Sequence, residues 1–113
     1  MNIDLKIIKI KNVWKVVPSV RTSKKAVYAA AGDTVTWSAV GTDAHFQFPM
    51  NIFTPANRAH LLVGGYTKSL KDGKLLKLKI KNNAKPGEVV YAVFCTPDNL
   101  FAEGSTPPKI IVR

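Results

Sequence analysis

Alternation of apolar and polar positions with a period of two runs through most of this chain, and no apolar stripe of helical spacing persists. Ile3, Leu5 and Ile7 alternate with Asp4 and Lys6, after which Ile8 and Ile10 continue on the opposite parity. That slip predicts a bulge or a change of sheet near Ile7 and Ile8. Val35 and Trp37 alternate with Thr34, Thr36 and Ser38. Leu76, Leu78 and Ile80 alternate with Lys77, Lys79 and Lys81, the cleanest half-buried strand of the sequence. Val89, Tyr91, Val93 and Cys95 share one parity, so the Cys95 thiol is expected to project inward where its strand ends. Gly32-Asp33, Gly64-Gly65, Asp72-Gly73 and Pro86-Gly87 punctuate these runs as turns. Seven to eight short strands separated in this way predict an all-β, Greek-key sandwich. The stretch Asn51 to His60 is weakly patterned and reads as a short helical turn or an excursion loop, with His60 in a surface or structural role.

With 113 residues and 46% hydrophobic content the chain can bury a core of its own, and residues 1–113 are read as a single domain. No stretch of 18 apolar residues is present to span a membrane as a helix. The start Met1-Asn2-Ile3-Asp4-Leu5-Lys6 carries no apolar signal-peptide region. One cysteine excludes an internal disulfide and leaves the redox compartment open.

The ordered set Gly32-Asp33, Val35 and Trp37, then Ala44-His45-Phe46-Gln47-Phe48-Pro49, then Pro86-Gly87 and Tyr91-Ala92-Val93-Phe94-Cys95 resembles the cupredoxin, or blue copper, family over roughly Val27 to Val112. The resemblance implies a cupredoxin-like fold, a His ligand at His45, a Cys ligand at Cys95, and export after removal of a signal peptide, with a periplasmic location. A cytoplasmic location is the other reading of the amino terminus.

After Cys95 the chain departs from that pattern. A blue copper site needs two imidazoles, a thiolate and a weak axial thioether. Here the loop reads Cys95-Thr96-Pro97-Asp98, with Asp98 where the family's second His belongs and Glu103 at the Met position. The loop length also resembles that of the red copper relative nitrosocyanin, whose two loop imidazoles would fall on Asp98 and Glu103. Two readings follow. In the first, a non-enzymatic binding module keeps the fold, has lost conventional blue copper and holds no cofactor. In the second, His45, Cys95, Asp98 and Glu103 form an atypical His/Cys/carboxylate site for copper or zinc, suited to copper handling or electron transfer.

Each of these residues also has a plain role available. A free cysteine is commonly a small buried hydrophobe, and loop carboxylates commonly cap backbone groups. Catalysis has little support: there is no G-x-S-x-G, no Gly-rich phosphate loop and no HExxH, so the chain is read as not an enzyme.

The formal charge of +10, from 17 Lys and Arg against 7 Asp and Glu, brings nucleic acid to mind first. Most of these cations are lysines, which make poor base readers, and no aromatic-basic RNA-binding motif accompanies them. An acidic protein partner fits better, with Lys77, Lys79 and Lys81 as the expected contact row. Their plain role is to keep a strand soluble and to discourage edge pairing. Oligomeric state is left open by the sequence.

Overall fold

The computed structural model describes residues 2–19, 27–48, 53–55, 67–103 and 107–113, with the backbone alone at 53–55 and 67. Their strands are β1 (Asn2–Ile10), β2 (Val13–Pro18), β3 (Val27–Ala29), β4 (Thr34–Ala39), β5 (Ala44–Gln47), β6 (Phe53–Pro55), β7 (Thr67–Leu70), β8 (Leu75–Ile80), β9 (Gly87–Val90), β10 (Ala92–Cys95), β11 (Leu100–Phe101) and β12 (Lys109–Val112). The all-β sandwich expected from the alternation is present. It has more and shorter strands than seven or eight, because long runs change partner along their length. Residues 87–95 are one such run, divided at Tyr91: β9 pairs with β12, whereas β10 pairs with β5 and β11.

The first sheet has the order β2-β1-β4-β8-β6. The second layer is built from β11-β10-β5-β7 and β3-β12-β9, joined through the run 87–95. Leu5, Ile7, Val35, Trp37, Leu76, Leu78 and Ile80 from the first layer meet Phe46, Val89, Tyr91, Val93, Cys95 and Ile110 from the second in one buried core. At its centre the Trp37 ring lies edge-on to Phe46 at 5.4 Å and to Tyr91 at 5.8 Å. The Trp37 indole N–H donates to the Tyr91 hydroxyl at 3.1 Å, which satisfies both polar tips inside an apolar interior.

Turn chemistry sets the β1–β2 register and the passage from β3 to β4. Lys11 and Asn12, with φ of 50° and 66°, form a two-residue hairpin between Ile10 and Val13, and the left-handed pair matches the twist of the flanking strands. At Gly32, φ is +89° and Asp33 N–H donates to Ala30 C=O at 3.0 Å, the type II turn in which position three requires a positive φ. A side chain there would also crowd Asn82 Oδ1.

Of the two forms expected for the parity slip at Ile7 and Ile8, the structure shows the change of pairing and not the bulge, and the expectation for Asn51 to His60 changes in part. No bulge interrupts β1, whose register with β2 runs unbroken from Leu5↔Pro18 to Ile10↔Val13. Pairing of β1 with β4 ends at Ile7, so Ile8 and Ile10 lie beyond the central sheet on a two-stranded ribbon and are half-buried on its other face. Within Asn51 to His60, Phe53–Pro55 is neither helical turn nor loop but strand β6, paired with β8. The rest of that stretch, His60 and Gly64-Gly65 lie outside the described residues.

Candidate functional site

Strands β5 and β10 decide where the expected ligands go. Register places Cys95 opposite Ala44 and Phe94 opposite His45. Because neighbouring residues of a strand point to opposite faces, Cys95 and Ala44 face the core while His45 and Phe94 face outward. Cys95 is 0% exposed, and His45 is exposed, its Nδ1 lying 3.2 Å from the Ser69 hydroxyl on β7. The thiol therefore projects inward, as its parity predicts, while the imidazole stands on the opposite side of the same sheet.

Burial pushes the Cys95 thiol up to about 11, the Thr42 hydroxyl beside it opposing the shift and the Asp98 charge adding to it. A thiol so placed is neutral at ordinary pH and behaves as a small core hydrophobe. Thr42 is the residue the sequence did not reveal. It is 2% exposed, and its hydroxyl donates to the Asp43 carbonyl at 2.6 Å. Nothing in Ser38-Ala39-Val40-Gly41-Thr42-Asp43 marks it out, since a turn-rich stretch ordinarily places Thr in solvent.

Asp43 ties the loops at this end together. Its carboxylate accepts from Asp72 N–H at 2.9 Å and pairs with Lys71, and its carbonyl accepts from Thr96 N–H at 3.2 Å. The Asp72 N–H, followed by Lys71, holds the Asp43 carboxyl below its usual range.

Asp98 is committed elsewhere. One of its oxygens accepts from Lys9 Nζ and from the Trp14 indole N–H, both at 2.8 Å, and Lys9 also stands over the Trp14 ring. Lys9 first, then Trp14, lower the Asp98 carboxyl. Glu103 is half-buried in a left-handed conformation, φ 62°, with its N–H donating to the Trp14 carbonyl at 2.6 Å. Its charge acts on Tyr91 in the core. The Asp98 carboxylate and the Glu103 backbone N–H thus join the β1–β2 hairpin to the segment after Cys95.

No three His, Cys, Asp or Glu side chains among the described residues converge as a metal group. The donor chemistry agrees: the thiol has a hydroxyl for a neighbour, His45 is across the sheet, and Asp98 accepts from an ammonium and an indole. As placed in this structure, Cys95 and His45 do not face a common point.

Lys77 and Lys79 stand on the outer face of β8, and Lys81 follows directly after it. The same face carries Lys6, diagonal to Lys77 across β4, and the same parity carries Lys15 on the β1–β2 ribbon beyond the central sheet. Beside Lys77 a shallow groove of about 310 Å³ is floored by Thr36, Ser38 and Leu75 and bordered by Asn2 and Asp4.

No protein family and no curated protein matches this sequence. Among solved structures, amicyanin from Paracoccus versutus aligns with 99% of this chain and 81% of its own at 19% identity and a TM-score of 0.50. A Cu(I) form of an amicyanin variant aligns over 99% and 82% at 17% identity and a TM-score of 0.51. The chain therefore has the cupredoxin fold, which the sequence motifs anticipated. At that identity the likeness is one of fold alone.

Proposed function

We propose that the protein is a non-enzymatic cupredoxin-like binding module that has lost the conventional blue copper site and docks an acidic protein through the basic outer face of its first sheet. The observation that carries this reading is the division of the copper-end residues between two faces. Cys95 is closed into the core against Thr42, and His45 lies outside on the other side of β5. Lys6, Lys77 and Lys79 share one face with Asp4, and positive potential on a flat sheet steers an acidic partner more than it tightens its complex.

The contrasting reading, a copper or zinc protein using His45, Cys95, Asp98 and Glu103, requires Cys95 and His45 to reach one ion. Metal analysis of protein purified without a His tag, followed by Cu(II) titration, separates the two. A metal-free protein that develops no intense thiolate-to-copper band is the expected result. Stoichiometric copper with a blue or red thiolate band overturns the proposal.

A further inference from the structure

The outer face of β11-β10-β5-β7 differs in kind from the basic face on the other side of the molecule. Register aligns Phe101, Phe94, His45 and Ser69 as one rank across four strands, with Ala92 and Gln47 in the next rank. Among the described residues these outward positions include no Lys, Arg, Asp or Glu, in a chain where 24 residues are charged (17 Lys and Arg plus 7 Asp and Glu). Phe94 and Phe101 meet edge-to-face at 5.2 Å, and Phe101 is still 56% exposed. Along the same run Val90 is 41% exposed, and the ions beside it, Lys109 and Glu88, neutralise each other at 3.4 Å. Aromatics enriched and charge depleted is the composition of an interface centre.

We propose that this uncharged face is the contact surface of a weak homodimer whose stability rises with salt. Charge decides the occupant. Two chains of +10 repel through most of their surfaces, and a second copy meets least repulsion where no unpaired charge faces it. A twofold axis near Phe94 sets the Phe94–Phe101 pair of one copy against that of the other, as a self-complementary isologous contact requires. Four short strands offer less than the roughly 800 Å² per partner of a standard interface, so half-dissociation is expected at roughly 0.1–1 mM.

Sedimentation equilibrium up to about 2 mM protein, at low and at 0.5 M salt, tests this in the expected concentration range. The expected result is a reversible dimer that tightens about threefold or more at high salt as mutual repulsion is screened. Phe101→Lys should weaken it about tenfold or more, because exposed aromatics dominate such contacts. Gln47→Lys, on the same face but with no packing role, should weaken it in the same direction if Phe101→Lys disturbs folding. Lys77→Gln should leave it intact or slightly tighter. A protein monomeric throughout, a dimer that loosens with salt, or one indifferent to both face substitutions overturns the proposal. Acidic-partner binding by the opposite sheet weakens with salt, so the two readings stand or fall separately.

Discussion

At Cys95 the position of one side chain within a strand outweighs its chemistry. A thiol raised to about 11 by burial is protonated at neutral pH, and a protonated, enclosed thiol is a poor nucleophile. Native protein at pH 8 should therefore react with a thiol reagent at least about a hundredfold more slowly than unfolded protein, because reaction waits on opening of the sheet. Rapid stoichiometric labelling would show that the thiol reaches solvent. Because folding raises this group, stability is unaffected below its unfolded value of 9.0 and is lost as pH rises from there toward 11. A melting temperature flat from pH 7 to 8.5 and falling above 9 is the matching observation.

Asp98 obeys the opposite sign. Its carboxyl is lowered by Lys9 and Trp14, so the stabilisation it brings is present above the ordinary 3.8 and disappears as pH falls through the lowered value. Asp98→Asn should remove most of that acid sensitivity and weaken the tie between the hairpin and the β10–β11 turn, with Trp14 fluorescence reporting the change. Unchanged Trp14 emission would show that the indole has no bond to this carboxylate in solution.

Within elements, β8 is the strand the alternation describes most fully. Leu76, Leu78 and Ile80 are buried and Lys77 is exposed, the parity the sequence predicts. Replacing Lys77, Lys79 and Lys81 together by Gln should change stability by no more than ~0.5 kcal/mol at each position, since all three lie on the outward parity. Association with an acidic partner should slow about tenfold or more at low ionic strength, and the difference should shrink as salt rises. A triple variant that associates normally would reduce the row to a solubility device, whereas one that fails to fold would place the wrong face in the core. In β5 the alternation also holds, yet its functional meaning inverts: Ala44 and Phe46 are the inward pair, so His45 is carried away from Cys95.

For the whole molecule, the Trp37–Tyr91 bond crosses between the two layers at the centre of the aromatic cluster. Tyr91→Phe keeps the ring packing and removes the hydroxyl acceptor from the indole N–H, so it should cost about 1–3 kcal/mol in denaturant unfolding with the slope unchanged. A cost near zero would mean that the hydroxyl contributes nothing to joining the sheets. The outer face of the first sheet is basic and that of β11-β10-β5-β7 carries no ion among the described residues, so the two proposed contacts should respond oppositely to salt.

The sequence by itself determined the fold class, the turns at Gly32-Asp33 and Asp72-Gly73, the inward thiol and the outward lysine row. Each of these follows from local chain physics, a period of two and the conformations that glycine permits. Tertiary structure alone decided which residues meet. Register between β5 and β10 put His45 and Cys95 on opposite faces, and loop packing set Thr42 against the thiol. Contact across the sandwich gave Asp98 to Lys9 and Trp14, 89 and 84 positions away in the chain. A motif lists residue types in order along a chain, whereas a ligand set depends on which face each side chain takes, and a single residue of register reverses that face.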